Sequence, residues 1–310
     1  MTRETIQEKL SHKNFYSEIL CNDPKPLPDQ SEPEVILYEE YSDRPVEFSV
    51  IVPVFNQENI IKKNILSIID TMDGDYELII ILDSCVDSTE NILLELFKNK
   101  FRDNLVRIIL IRQQTPVFET TCDNMGFVIS SGKYILEIQA DMEMVEYGFN
   151  KNLARGMEKY DDIIGISGRC THNFGSSMGI GKMGYMVQEP LPKDIDRNTM
   201  YMYGTCNRGP LLLHPEKLKE MKFMDEQNYF LHNSDHDLFA RAYYLKGWKC
   251  GYIPIEFKSS LNDGSTRKDI DPRVKQINQH FFSLREQRST CGFEKNVYNM
   301  EKMPIEMRQI

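Results

Sequence analysis

The sequence lacks any uninterrupted apolar run of about 18 residues, the length that a membrane-spanning helix needs. Its first residues, MTRETIQEKLSHKNF, also lack the apolar core of a signal peptide. We therefore expect a cytoplasmic protein without a transmembrane segment. A peripheral position at a membrane surface stays open.

Basic residues are fewer than acidic ones. The chain has 37 lysines and arginines against 47 aspartates and glutamates, which gives a formal net charge of -10. A nucleic acid is held through many phosphate contacts and favours a basic surface, so we expect no nucleic-acid partner. A small anionic ligand bound at one place stays compatible with this overall charge.

The seven cysteines are odd in number, scattered along the chain and never spaced as CxxC. Close pairs of cysteines are typical of structural zinc sites, and even numbers are typical of disulfide frameworks. We therefore expect free thiols and no structural zinc.

Two common nucleotide-binding motifs are also missing. The first apolar run ends in PVFNQE, at residues 53–58, and not in the glycine-rich turn of a dinucleotide site. The sequence GxxxxGK followed by serine or threonine, which marks a P-loop, does not occur. Nicotinamide and flavin enzymes and P-loop hydrolases are therefore disfavoured.

Short runs rich in isoleucine and valine alternate with segments of helical spacing. The runs are FSVIVPVF (48–55), YELIIILD (76–83), LVRIILIR (105–112) and KYILEIQA (133–140). Parallel strands need crossovers that cover both faces of a sheet, so this alternation predicts an α/β fold with a mainly parallel, doubly wound sheet flanked by helices. Ligands of such sheets bind outside the carboxyl ends of the strands.

The pattern divides the chain into three parts. Residues 1–45, with four prolines between positions 24 and 33, predict a short helix and an extended arm over the surface. Residues 46–262 predict the folded domain, with a division into 46–144 and 145–262. Residues 263–310 predict a loop, a helix and a tail.

The second half of the domain is less regular than the first. We expect a strand at DIIGIS (162–167), a long loop or lid over 169–198, a helix at SDHDLFARAYYL (234–245) and a strand in GWKCGYIP (247–254). In the third part, an amphipathic helix is expected over 273–285.

Acidic residues stand where two of the apolar runs end. Asp83 closes the second run, and Asp141 follows the fourth, with Glu143 two positions later. At a strand end, a carboxylate first reaches the ligand crevice, where it can hold a metal ion or accept a hydrogen bond from a nucleotide base. A strand that runs into a solvated turn explains Asp141 and Glu143 equally well, so both interpretations stay open. For Asp83 we expect no helix-capping role.

Several blocks, taken in order, resemble one known family. They are FSVIVPVFNQENIIKKNILSI, LDSCVDST, the NMG of residues 124–126, QADMEM, NRGPLLLHPE and SDHDLFARAYYLKGWKCGYIP. Over residues 48–254 they resemble the inverting glycosyltransferases of family two, which have the GT-A fold. The resemblance implies a hexosyltransferase-type enzyme that moves a sugar from a nucleotide-diphosphate donor, expected to be uridine-linked, to an acceptor hydroxyl with inversion. It makes 46–144 the nucleotide-binding half and 145–262 the acceptor half.

The resemblance also implies where the nucleotide binds. The family's block after the first strand carries over to Pro53, Val54, Phe55 and Glu58, and the aspartate that recognises the base carries over to Asp83. The aspartate that precedes it in the family is Leu82 here.

The family's metal motif, two aspartates separated by one residue, aligns with Gln139, Ala140 and Asp141. The resemblance makes Asp141 the metal ligand and places Gln139 and Ala140 beside the nucleotide. Mn²⁺ or Mg²⁺ at such a site neutralises the leaving diphosphate, and it often uses only one or two protein carboxylates plus phosphate oxygens. Because Gln139 replaces an aspartate, metal dependence stays open. The resemblance also offers His280 as a late metal ligand, with a surface histidine as the alternative.

The SDHDL block aligns Asp235 with the family's catalytic base and gives Asp237 and Arg241 a supporting role. The base removes the proton of the acceptor hydroxyl as that oxygen attacks the anomeric carbon. The structural alternative is that these carboxylates stand in the first turn of a helix only because the helix dipole stabilises them there. Asp237 fits that structural role better than Asp235 does.

For the sugars, the resemblance points to Asn207, Arg208 and Gly209 near the donor, where a small residue lets the backbone approach closely. Trp248 is expected either at the floor of the acceptor site or in the core.

Two other functions stay open. A sugar nucleotidyltransferase would need a glycine-rich, basic loop after the first strand, and PVFNQE is neither. A catalytically silent sugar- or nucleotide-binding protein would keep the fold, and Leu82 and Gln139 favour it. The acceptor is expected to be a glycan, a protein or a lipid-linked sugar, and a homo-oligomer stays open.

Overall fold

The structure is a computed structural model that describes residues 1–11, 31–98, 101, 103–168, 196–226, 229, 234–259 and 305–310. The helices in these ranges are α1 (Arg3–Ser11), α2 (Ile61–Thr71), α3 (Thr89–Leu96), α4 (Phe118–Ile129), α5 (Phe149–Lys159), α6 (Pro215–Glu220) and α7 (Ser234–Lys246). The strands are β1 (Glu34–Glu40), β2 (Phe48–Val54), β3 (Tyr76–Asp83), β4 (Leu105–Gln113), β5 (Tyr134–Glu137), β6 (Met142–Met144), β7 (Ile163–Ser167), β8 (Thr199–Tyr203), β9 (Leu211–Leu213), β10 (Lys249–Tyr252), β11 (Phe257–Ser259) and β12 (Glu306–Gln309). None of these helices is long and apolar enough to cross a membrane.

Ten strands form one sheet in the order β1-β4-β3-β2-β5-β9-β7-β10-β8-β12, and β6 pairs with β11 in a small second sheet. The neighbours β4, β3, β2 and β5 run parallel, as do β7 and β10. The other pairs in the large sheet are antiparallel, including β9 between β5 and β7. The predicted α/β fold with a large sheet flanked by helices is confirmed, but the sheet is mainly parallel only in its first half.

Alternate residues of the central strands pack into two cores, one on each face of the sheet. Val50 of β2 belongs to the core that contains Ile65 of α2, whereas Ile51 belongs to the core that contains Met125 of α4. Gly126 lets α4 lie close to the sheet, since a Cβ at this position would stand 2.5 Å from Cγ2 of Ile51. Every residue of β2 is buried, which is why its sequence is a continuous apolar run.

Both outer edges of the sheet are strands from the predicted arm and tail. β1 pairs antiparallel with β4, with Tyr38 opposite Ile109, and β12 pairs antiparallel with β8, with Met307 opposite Tyr201. The structure therefore differs from the predicted arm over 1–45, because residues 34–40 complete the sheet. Only Val35 of β1 is buried, so the strand has little apolar pattern in the sequence.

The predicted helix over 273–285 lies outside the described residues, as does the predicted loop over 169–198 except for residues 196–198. The predicted strand at 162–167, the helix at 234–245 and the strand within 247–254 are confirmed as β7, α7 and β10.

Candidate active site

The loops that follow β2 and β3 are tied to each other. Asn56 has a left-handed backbone (φ 49°), and its Oδ1 accepts a hydrogen bond of 2.9 Å from the N–H of Val86. Oε2 of Glu58 accepts one of 2.9 Å from the N–H of Ser88, which precedes α3. These bonds hold the carboxyl ends of β2 and β3 together as one surface.

The predicted nucleotide residues on this surface differ in what they expose. Pro53 and Val54 are buried in β2, and the side chain of Val54 belongs to the core. Phe55 is half-buried and is the first side chain of the block that reaches the surface. Glu58 is exposed, and its carboxylate is bound to the loop before α3.

Asp83, at the end of β3, is buried and caps α4. Its Oδ1 accepts a hydrogen bond of 2.8 Å from the N–H of Val117, and its Oδ2 accepts one of 3.0 Å from the N–H of Phe118. The expectation that Asp83 has no capping role is therefore wrong. Base recognition by Asp83 stays a prediction, since each carboxylate oxygen can accept more than one hydrogen bond.

The turn that follows β5 carries the predicted metal ligand. It closes with a hydrogen bond of 3.0 Å from the N–H of Met142 to the main-chain oxygen of Gln139. Asn64 of α2 supports the turn by donating a hydrogen bond of 2.8 Å to the main-chain oxygen of Ala140. Asp141 is half-buried on this turn.

Gln139 and Glu143, on either side of Asp141, bind different partners. Nε2 of Gln139 donates a hydrogen bond of 2.7 Å to Oε1 of Glu119 in the first turn of α4. Glu143, on β6, accepts one of 2.6 Å from Nζ of Lys63. Because Glu143 is bound to Lys63, this placement does not favour it as the partner of Asp141. Within the described ranges, no group of three or more histidine, cysteine, aspartate or glutamate side chains is arranged to hold a metal ion.

Asp235 lies in the first turn of α7 and is buried. Its Oδ2 accepts a hydrogen bond of 3.0 Å from the N–H of Arg208, and its Oδ1 accepts one of 2.9 Å from the N–H of His236. Burial by itself would raise the pKa of Asp235, but the charges of His236 and Arg208 and these two bonds outweigh it, so the pKa lies below its ordinary value. The carboxylate is therefore ionised at neutral pH, which is the state that a general base requires.

Asp237 and Arg241 form a buried pair on the same helix. Oδ2 of Asp237 accepts a hydrogen bond of 2.7 Å from Nε of Arg241. Arg241 also donates to the main-chain oxygens of Met221 and Phe223, in the turn after α6. Burial raises the pKa of Asp237, and the charge of Arg241 opposes this effect. The pair anchors α7, which favours a structural role for both residues.

The side chain of Arg208 is turned into the protein. Only 4% of the residue is exposed. Nη1 donates a hydrogen bond of 2.7 Å to Oδ2 of Asp123, and Nη2 donates one of 2.9 Å to Oγ1 of Thr120 and another to Oγ of Ser234. The guanidinium is thus held by side chains of α4 and α7. The expected place of Arg208 near the donor sugar stays a prediction.

Gly209 brings the loop before β9 against the turn after β5. It has a φ of 56°, and its N–H donates a hydrogen bond of 2.8 Å to Oε2 of Glu137. A Cβ at this position would stand 2.9 Å from Cγ of Gln139 and 2.8 Å from Cε of Met142. The loop therefore packs closely against protein atoms at Gly209, whereas its expected place beside the donor sugar stays a prediction.

The remaining predicted residues lie in different places. Asn207 is half-buried beside Arg208, and its main-chain oxygen accepts a hydrogen bond of 2.8 Å from Oγ of Ser167. Trp248 directly precedes β10 and therefore lies at the amino ends of the parallel strands, whereas the other residues lie at the carboxyl ends. Nζ of Lys217 lies 5.6 Å from the centroid of its ring. The indole packs partly against the core, so the structure favours the core alternative for Trp248. His280 lies outside the described residues.

Sequence reasoning did not single out Glu119, Asp123 and Glu137, which lie around Arg208. Burial raises the pKa of Asp123 and of Glu137 well above the ordinary range, although the charge of Arg208 opposes this effect in both. Oδ1 of Asp123 and Oε1 of Glu137 have no hydrogen-bond partner within the described part of the chain. The available signal was Glu137 itself, a charged residue inside the apolar run YILEI.

The comparisons with known proteins agree with this architecture. A sequence model described as Glycosyl transferase family 2 matches residues 49–209, just over half of the chain. A protein of Haemophilus influenzae described as an uncharacterized glycosyltransferase is 25% identical over 185 residues, which cover 58% of this chain and 55% of that protein. The chain thus spans about half the length of this relative. Asp235 lies beyond the range that the family model matches.

Two solved structures share the fold. A crystal structure of S. aureus TarS 1-349 in complex with UDP-GlcNAc has a TM-score of 0.51 and 15% identity, covering 80% of this chain and 75% of that chain. A crystal structure of GalNAc-T7 with UDP, GalNAc and Mn²⁺ has a TM-score of 0.52 and 13% identity, covering 71% of this chain and 44% of that chain. At these identities the likeness shows the fold alone, which is the GT-A fold.

Proposed function

Because this chain belongs to glycosyl transferase family 2, we propose that it moves a sugar from a uridine-diphosphate donor to an acceptor hydroxyl with inversion. The observation that carries this proposal is Asp235. It is a buried carboxylate, ionised at neutral pH and bound to Arg208. Gly209, which follows Arg208 in the chain, packs against Gln139 of the turn that holds Asp141. One hydrogen bond and one close packing contact, through the consecutive residues Arg208 and Gly209, therefore support placing the base near the diphosphate site.

Asp235 acts as the general base in this proposal. It accepts the proton of the acceptor hydroxyl while that oxygen attacks the anomeric carbon and the bond to the diphosphate breaks on the opposite side. The proton becomes acidic only late in this step, so a carboxylate of low pKa is suitable if it is correctly placed. The two hydrogen bonds from Arg208 and His236 provide that placement.

The diphosphate is assigned to the turn at residues 139–141, with Asp141 as the protein ligand of Mn²⁺ or Mg²⁺. A hard cation at a phosphate site commonly uses one or two carboxylates, and a half-buried aspartate on a supported turn fits that requirement. When bound, the cation stabilises the charge that develops on the leaving diphosphate. The complex of S. aureus TarS with UDP-GlcNAc and that of GalNAc-T7 with UDP and Mn²⁺ support this choice of donor and cation.

A second candidate is a nucleotide-binding protein that has lost catalysis. The observation that favours it is Gln139, which replaces a charged residue of the metal motif and is bound to Glu119. The features that disfavour a sugar nucleotidyltransferase are unchanged, since the loop after β2 is neither glycine-rich nor basic.

The two candidates are separated by incubating the protein with Mn²⁺ and a panel of nucleotide sugars and measuring nucleotide release. UDP binding to the Asp141→Ala and Glu143→Ala variants is measured in parallel by calorimetry. We expect release from at least one donor, and Mn²⁺-dependent UDP affinity that falls about tenfold or more in Asp141→Ala but not in Glu143→Ala. No turnover of any donor, together with unchanged UDP binding in Asp141→Ala, would support the silent binding protein.

A further inference from the structure

We propose that Asp123 and Arg208 form a buried pair that positions Asp235, so that helix α4 determines where the base stands. The inference rests on the proposed role of Asp235. It gives α4 a part in catalysis without contact to substrate, since both side chains are buried.

Arg208 binds two consecutive residues at the start of α7. Its main-chain N–H donates a hydrogen bond of 3.0 Å to Oδ2 of Asp235. Its side chain donates through Nη2 to Oγ of Ser234, the preceding residue. One residue thus holds two consecutive positions of the helical turn that carries the base.

Two side chains of α4 in turn bind the guanidinium of Arg208. Nη1 lies 2.7 Å from Oδ2 of Asp123, and Nη2 lies 2.9 Å from Oγ1 of Thr120, one helical turn earlier. Oγ1 of Thr120 also lies 3.1 Å from Oγ of Ser234, so α4 meets α7 directly. Because α4 packs closely on β2 at Gly126, the helix that binds the guanidinium is itself fixed against the core.

Removal of the Asp123 carboxylate should displace Arg208. Removing the carboxylate partner of a buried guanidinium is strongly destabilising, because the charge is left without compensation. Glu119 already lies within ion-pair distance, at 3.5 Å from Nη1, and would then attract the guanidinium alone. A shift of the guanidinium toward Glu119 would disturb Arg208, and with it the main-chain N–H that donates to Asp235. A displacement of about 1 Å at a catalytic group can cost about 100-fold in rate.

The test compares Asp123→Ala with Asp123→Asn, which keeps a carbonyl oxygen that can accept from Nη1. Sugar transfer is measured as kcat, donor affinity as the Kd for UDP, and folding by circular dichroism and thermal melting. We expect Asp123→Ala to lower kcat about 30- to 100-fold while the UDP Kd changes less than threefold. Asp123→Asn should recover at least tenfold of that loss.

Glu226→Gln is the matched control. Glu226 is also a buried carboxylate that binds α4, but it does so through Nδ2 of Asn124, at 2.9 Å, whereas Asp123 binds Arg208. It should leave kcat within threefold of the natural protein. If Asp123→Ala fails to fold, Thr120→Val removes one bond to Arg208 at smaller cost and should still lower kcat at least threefold at unchanged Kd.

The outcomes separate this inference from the proposed function. Loss of activity in Asp235→Asn with an unchanged kcat in folded Asp123→Ala, or in Thr120→Val, overturns the positioning role and leaves the base in place. Full activity in Asp235→Asn overturns the proposed base itself. Equal loss in Asp123→Ala and Glu226→Gln would show a general effect of destabilising α4 and would also overturn the inference.

Discussion

The main-chain N–H of Arg208 donates a hydrogen bond of 3.0 Å to Oδ2 of Asp235 across 27 positions of sequence. Arg208 lies within the range that the family model matches, and Asp235 lies beyond it. The bond therefore connects the shared family region to the helix that carries the proposed base. Arg208, the residue to which this base is bonded, directly precedes Gly209, and Gly209 packs against the proposed diphosphate turn.

Restoring the missing carboxylate of the metal motif should strengthen metal binding. In Gln139→Asp, the new carboxylate would face Glu119, whose Oε1 lies 2.7 Å from the present Gln139 amide. The aspartate is one methylene shorter than glutamine, but two neighbouring carboxylates still repel each other unless a proton or cation lies between them. We expect a lower melting temperature without metal and a larger increase on adding Mn²⁺ than in the natural protein.

The control for this experiment is Glu119→Gln added to Gln139→Asp, which should remove the extra response to Mn²⁺. If Mn²⁺ shifts the melting temperature of Gln139→Asp no more than that of the natural protein, the alignment of Gln139 with the metal motif is wrong.

Gly209→Ala should destabilise the fold and weaken donor binding. The left-handed backbone is unfavourable for alanine, and the added Cβ would stand 2.8 Å from Met142 and 2.9 Å from Gln139. We expect a loss of about 2 to 4 kcal/mol in unfolding free energy, measured by urea titration. UDP affinity should fall as well, because the turn at residues 139–141 has to move.

Gly247→Ala is a matched control for the backbone contribution. Gly247 also has a positive φ, of 70°, but nothing lies within 4 Å of an added Cβ. This variant should lose about 1 kcal/mol and keep its UDP affinity. An equal loss in both variants would contradict the steric role of Gly209.

Glu226 should make stability fall as pH rises toward neutrality. Burial raises its pKa from 4.5 to about 7. Between these values the folded state binds more protons than the unfolded state, so the contribution is fully present below pH 4.5 and is lost as pH rises through 7. Glu226→Gln should remove a decline of roughly 3 kcal/mol over this interval.

Urea titrations at several pH values between 5 and 8 measure this effect, with the exposed Glu216→Gln as control. A pH profile of Glu226→Gln that runs parallel to that of the natural protein would show that Glu226 titrates at its ordinary pKa.

The central strands could be predicted from sequence because β2 and β3 are buried on both faces and therefore appear as continuous apolar runs. β1 and β12 could not, because edge strands with exposed side chains depend on main-chain pairing for their place. Within the site, the position of Asp235 at the start of α7 follows from its helical pattern. Its neighbours do not, since the partner of Arg208 on α4 is 85 residues away in sequence.

Asp83 shows the same limit. A carboxylate at a strand end is visible in the sequence, but its two bonds join it to the start of a helix 34 and 35 residues later. Only the packing of α4 against β3 reveals that it is a cap.

The most direct test of the whole account is the single-turnover rate of sugar transfer by Asp235→Asn, with UDP binding measured on the same preparation. Asp162→Asn is the control, since Asp162 is half-exposed at the opposite edge of the sheet and paired with Arg308. We predict that Asp235→Asn loses at least 100-fold in rate and keeps its UDP affinity, whereas Asp162→Asn keeps both. Transfer by Asp235→Asn within a few fold of the natural rate would contradict the assignment of Asp235 as the base.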